Sequence, residues 1–190
     1  MLRFREQALG LNGAQVDVEI LRHYPHGSLA AHALGYTQPI TEGEYEVLVE
    51  KGYRIRDRIG RTGVEAAYES HLRGAWGGQM LEVNAMGEVQ RNLGDRPSKA
   101  GMDLTLTLDL DLQRVAEQAL ADKPGGAVVA LDPRDGAVLA LASKPGFDPN
   151  FFSKLFTTQK EYDALFANPA KPLMSRLSLI HISEPTRRLI

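Results

Sequence analysis

The spacing of apolar and polar positions along this chain predicts most of its elements. The densest apolar stretch is 126–150, GAVVALDPRDGAVLALASKPGFDPN. Two runs of small and β-branched residues, 127–131 and 137–142, flank Asp132-Pro133-Arg134-Asp135-Gly136. Pro presets φ, Asp bonds its own backbone and Gly accepts φ > 0, so these five residues form a turn. Each run has the length of a strand and is too short for a helix. Neither alternates apolar with polar, which predicts a β-hairpin buried on both faces. Alternation puts Val129, Leu131, Leu139 and Leu141 on one face. Val128, Ala130, Val138, Ala140 and Ala142 share the other, where so much alanine admits close approach, most simply by a helix.

Other segments carry cleaner periods. Residues 15–20 alternate Val16, Val18 and Ile20 with Asp17 and Glu19, a half-buried strand that a turn at 24–28 ends. Residues 29–34 form a short helix closed by Gly35. Thr41-Glu42-Gly43-Glu44 is a capping box, opening a helix with Tyr45, Leu48 and Val49 on one face and its end at Gly52. Thr62-Gly63-Val64-Glu65 is a second box, whose helix carries Val64, Tyr68 and Leu72 and closes at Gly74. Residues 79–85 and 88–93 form a hairpin around 84–87. Residues 103–108 alternate Leu104, Leu106 and Leu108 with Asp103, Thr105 and Thr107, another strand. Asp109 then caps a helix with Leu112, Val115, Ala116, Ala119 and Leu120 on one face. A third box, Thr158-Gln159-Lys160-Glu161, starts a helix through Phe166. The sum is an α+β chain with a boundary near 95–102. An irregular mixed region precedes that boundary, and a strand–helix–hairpin unit that begins a second domain follows it.

Composition narrows the function classes. Of 190 residues, 43% are hydrophobic and 24% charged, with 22 basic against 24 acidic. That balance is globular and gives no basic stripe for nucleic acid. The absence of cysteine excludes disulfides and cysteine zinc sites. No run approaches ~18 apolar residues, and Met1-Leu2-Arg3-Phe4-Arg5 opens no signal peptide. A targeting segment, if the protein has one, therefore lies outside this sequence.

Candidate chemistry is sparse. His23, His26, His32, His71 and His181 show no metal-binding spacing, and His23 and His26 flank a structural turn. Asp109 and Asp111 bracket a helix start, where capping explains them. Gly60-Arg61-Thr62-Gly63 lacks the Gly-Lys-Ser/Thr ending of a phosphate loop. Trp76, among glycines, reads as a packing anchor. Ser28, Ser70, Ser98, Ser143, Ser153, Ser175, Ser178 and Ser183 are followed three residues later by Ala, Arg, Gly, Gly, Phe, Ser, His and Thr. None is Ser-x-x-Lys, Ser-x-Asn is absent, and Lys99-Ala100-Gly101 reads as a loop rather than a variant of Lys-Thr-Gly. The expected set of catalytic, cofactor-binding and metal-binding residues is therefore empty.

The ordered motifs nevertheless resemble one family. They are Arg22-His23-Tyr24-Pro25-His26-Gly27-Ser28 with His32-Ala33-Leu34-Gly35-Tyr36, Ile59-Gly60-Arg61-Thr62-Gly63-Val64-Glu65 with Tyr68-Glu69 and Leu72-Arg73-Gly74, and Glu82-Val83-Asn84-Ala85-Met86-Gly87. Further on come Ala100-Gly101-Met102-Asp103-Leu104-Thr105-Leu106-Thr107-Leu108-Asp109 with Leu112-Gln113, Val129-Ala130-Leu131-Asp132-Pro133, the run 136–143, Phe147-Asp148-Pro149-Asn150, and Asn168-Pro169 with Pro172-Leu173. In order and spacing these resemble the class B penicillin-binding proteins, in particular the penicillin-binding protein 2 group of cell elongation. The resemblance covers residues 9–176. It implies a bacterial peptidoglycan D,D-transpeptidase on the periplasmic face of the inner membrane, acting in cell-wall elongation and cell-shape maintenance. An N-terminal anchor helix and a non-catalytic pedestal precede its serine transpeptidase domain. It also implies stem peptides and β-lactams as ligands of the intact enzyme, elongation-complex membrane proteins as partners, and neither cofactor nor nucleic acid.

On that resemblance residues 1–98 are pedestal and 99–176 an incomplete start of the transpeptidase domain. The anchor is missing upstream. After Arg176 the family continues to its Ser-x-x-Lys, nucleophile and base, whereas LSLIHISEPTRRLI matches nothing in it. Residues 177–190 look like a translated sequencing adapter. The chain is thus expected to be an inactive fragment. The alternatives are a pedestal-like interaction module and the cell-division paralogue. A covering helix for the 126–150 hairpin is expected from sequence beyond residue 176.

Overall fold

The computed structural model describes residues 21–154 and 157–177. The strand predicted at 15–20, His181, Ser178 and Ser183 lie outside them. Three two-stranded antiparallel sheets and seven helices are present among the described residues.

The first part is built from short pieces. Helix α1 (Ala31–Leu34) starts at Ala30, held in the left-handed region at φ 55°, and closes at Gly35, φ 81°. Strand β1 (Thr37–Pro39) pairs with β2 (Arg58–Gly60). Neither strand was predicted, because three residues carry no readable period. Helix α2 (Glu42–Leu48) has the predicted capping box, and one 3₁₀ turn carries it to Gly52 at φ 78°. Tyr45 and Leu48 are half-buried, whereas Val49 is exposed. Arg61 pairs with Glu44 and holds its carboxyl down at about 2.

The second predicted box does not form. Helix α3 (Gly63–Ala67) begins at Thr62 with no side-chain cap, and Tyr68 separates it from α4 (Glu69–Leu72). Glu65 is drawn away from the helix start by Arg22, 2.7 Å away, and by the Tyr24 hydroxyl at 3.3 Å. An ion pair with a buried carboxylate outcompetes an exposed cap. Tyr68 is consequently 43% exposed, and Glu65 takes the inward place. Strands β3 (Gly78–Val83) and β4 (Val89–Arg96) form the predicted hairpin, nearly all of it exposed.

Residues 103–108 are not a strand. Leu104, Leu106 and Leu108 are half-buried and the residues between them exposed, as the alternation required, but no ladder forms. Thr107 donates its hydroxyl to the Val138 carbonyl and Asp109 its N–H to that of Leu139. Helix α5 (Leu110–Ala119) is capped by Asp109, which accepts from the N–H groups of Asp111 and Leu112. Its inward face is turned one residue from prediction. Gln113, Ala116 and Leu120 are buried, while Leu112 and Val115 are exposed.

Strands β5 (Gly126–Leu131) and β6 (Val138–Lys144) form the predicted hairpin, with Val129 opposite Leu141. It is not buried on both faces. Ala116 and Leu120 of α5 lie on Ala140 and Ala142, flanked by Val128 and Ala130. The alanine face therefore receives its helix from within the chain, from α5. Val129 and Leu131, on the opposite face, remain 45% and 56% exposed. Helix α6 (Asn150–Ser153) and helix α7 (Gln159–Phe166), the latter with its predicted box, complete the described chain.

Candidate functional site

The sequence candidates do not converge. His23, His26 and His71 are exposed, and no group of three potential metal ligands exists among the described residues. Asp109 caps, and Asp111 pairs with Arg114. Trp76 donates its indole N–H to both oxygens of Asp57, at 3.0 and 2.9 Å, under the Arg54 guanidinium. Gly60-Arg61-Thr62-Gly63 serves close packing. A Cβ on Gly63 would stand 2.5 Å from the Ala33 carbonyl oxygen, and one on Gly35 1.8 Å from that of Thr62. Lys99 exchanges backbone bonds with Ala75, a loop role.

What the fold does build is a polar and aromatic seam between residues 22–36 and residues 113–176. Two side-chain carboxamides act there as peptide mimics. Asn150 accepts from the Tyr24 N–H at 2.9 Å and donates to the Tyr24 carbonyl at 2.9 Å. Gln113, 1% exposed, accepts from the Leu141 N–H at 2.7 Å and donates to its carbonyl at 2.9 Å. Glu117 Oε1 takes a second Gln113 N–H at 2.9 Å and the Ala30 N–H at 2.7 Å. Farther along, Ser143 Oγ accepts the Arg176 N–H at 2.9 Å.

His32 Nε2 lies 2.9 Å from the Pro172 carbonyl, and burial lowers its pKa. Its ring meets Phe147 edge-on, and Tyr36 stacks on Phe152 at 3.8 Å. Burial, reinforced by the Glu65 carboxylate, pushes the Tyr24 phenol well above its ordinary value. A cavity of about 230 Å³ opens within the seam, lined among others by His32, Glu117, Ser143 and Lys144. Sequence reasoning missed Gln113, Glu117 and Asn150. The available signal was the spacing 113, 116, 117, 120, which is i, i+3, i+4, i+7 and puts two polar residues on a helix's inner face.

These motifs and this pedestal-on-hairpin arrangement define the class. Residues 1–106 match the family model for the penicillin-binding protein dimerisation domain, and the chain belongs to that family. Relatives are peptidoglycan D,D-transpeptidases MrdA. The Escherichia coli K12 protein is 40% identical over 178 residues, 92% of this chain and 28% of the relative. The Acinetobacter baumannii protein is 39% identical over 174 residues, 92% and 26%. The chain thus spans about a quarter of the length of these relatives. Among solved structures, the Helicobacter pylori complex of penicillin-binding protein PBP2 with MreC matches with TM-score 0.74 and 26% identity, covering 93% of this chain and 32% of that one. Pseudomonas aeruginosa PBP2 in complex with WCK 5153 matches at 0.68 and 36%, covering 83% and 31%.

Proposed function

We propose that this chain is the pedestal (residues 1–98) and the entrance (residues 99–176) of a serine-type peptidoglycan D,D-transpeptidase serving cell-wall elongation. Residues 177–190 are read as adapter-derived. The observation that carries this reading is the seam, in which Asn150, Glu117 and Pro172 of the second part bind the turn and helix at 24–34 of the first. A pedestal locked this way supports a reacting domain and needs no chemistry of its own.

In such an enzyme a serine hydroxyl attacks the D-Ala-D-Ala carbonyl with a nearby lysine taking its proton. Backbone N–H groups hold the oxyanion, and the acyl-enzyme passes to the amine of a second stem peptide. This chain supplies the support and none of those groups. The complete enzyme acts on the periplasmic side of the inner membrane, with partners in the elongation complex. The MreC complex of the H. pylori relative supports that reading. Labelling with a fluorescent penicillin tests it. The 190-residue chain stays unlabelled while the complete protein is labelled. Covalent label on the chain alone would refute the absence of a nucleophile.

A second reading, an interaction module, draws on the β3–β4 hairpin. Met80, Val83, Met86, Val89 and Leu93 on it are each more than half exposed.

A further inference from the structure

We infer that Gln113, Glu117 and Ser143 are positioning residues, forming a hydrogen-bonded relay from the pedestal turn at Ala30 to the Arg176 end of the described chain. The links are continuous. The Ala30 N–H reaches Glu117, Gln113 joins Glu117 to both polar groups of the Leu141 peptide, and β6 runs from Leu141 to Ser143. Ser143 in turn holds the N–H of Arg176.

Two features separate this from ordinary packing. First, Ala30 sits at φ 55°, ψ 23°, a conformation that costs a non-glycine residue roughly 1 kcal/mol or more. Its N–H is the one that Glu117 receives, so the strain is held by a charge-assisted bond. The Ala30 carbonyl accepts from the N–H groups of Ala33 and Leu34, so the Glu117 bond fixes the one polar group of this residue that the helix does not. Second, the middle of the relay is sealed. Gln113 is 1% exposed and each of its amide groups is paired, so an altered Glu117 disturbs a buried amide and through it the Leu141 peptide. The cavity beside Glu117 gives the released side chain somewhere to go.

The relay rests on the transpeptidase reading in one respect. If the nucleophile follows Arg176 in the complete protein, the relay sets that segment by the docking of the pedestal.

The test is amide hydrogen exchange on the 190-residue chain, followed by NMR, with the variants Glu117→Gln and Ser143→Ala. Glu117→Gln weakens a bond to a charged acceptor and raises exchange at Ala30 about tenfold. In a relay the amides of Leu141 and Arg176 exchange faster too. Coupling is reciprocal, so Ser143→Ala raises exchange at Ala30 although the two are far apart along the chain. Changes confined to the amide nearest each substitution would overturn the relay. Should Glu117→Gln fail to fold, the response of Ala30 to Ser143→Ala decides alone. In the complete protein, Glu117→Gln lowers the rate of acylation by penicillin and leaves its non-covalent affinity unchanged. An unaltered acylation rate overturns the positioning role. A wild-type protein that penicillin never acylates refutes the transpeptidase reading instead, and the exchange result still judges the relay.

Discussion

Single residues carry the junctions of this molecule, and the sequence shows only some of them. Gly35 was legible as a helix stop. Its tighter constraint was not, since the Thr62 carbonyl that would collide with a Cβ belongs to a segment 27 residues away. Gly35→Ala therefore combines a left-handed backbone with a backbone clash. We expect it to cost about 3 kcal/mol or more, read as a lower urea midpoint with an unchanged slope. His32 was visible as a candidate and turns out to be a seam residue. Burial depresses its pKa, with the Arg176 charge adding to that and the Pro172 carbonyl and Glu117 opposing it. The folded state then binds fewer protons than the unfolded state between the depressed value and about 6.5. Its contribution is complete above about pH 6.5 and falls as pH drops below it. Urea midpoints at about pH 7.5 and about pH 5.5 should differ more for the wild type than for His32→Gln.

At the scale of elements, local rules succeeded where the side chain could serve its own helix and any other partner at once. The boxes at Thr41 and Thr158 formed although Arg61 pairs with Glu44 and Lys154 with Glu161, because each glutamate meets its partner while still reaching back to its own N-cap. The identical pattern at Thr62 failed because Glu65 had Arg22 and Tyr24 to answer. Substitution exposes the difference. Thr41→Ala should cost about 1 kcal/mol and Thr62→Ala close to nothing, by thermal or urea unfolding. Alternation at 103–108 reported burial correctly and pairing wrongly, since period two says which side chains face inward and not whether another strand lies alongside. The face of α5 was misplaced for a related reason. Leu112 and Val115 were weighted as apolar, whereas a glutamine with a peptide to bind is the residue that goes inside.

For the molecule as a surface, the apolar groups on the β3–β4 hairpin depart from the ordinary among the described residues. Met86 is 86% exposed and Met80 68%. Such groups favour association. Replacing both with Lys should leave unfolding stability within about 0.5 kcal/mol and reduce concentration-dependent association measured by sedimentation.

The glutamine that copies a peptide has a consequence for how the β5–β6 sheet can grow. Leu141 directs both its polar groups to Gln113, and Asp109 occupies the carbonyl of Leu139, so the middle of the outer edge of β6 is already occupied. Among the described residues β5 keeps its far edge open. Growth is therefore one-directional. Any strand added by a longer chain, or by a second molecule during aggregation, must enter beside Gly126–Leu131. A proline at a position of that strand whose N–H faces the open edge would block both kinds of growth.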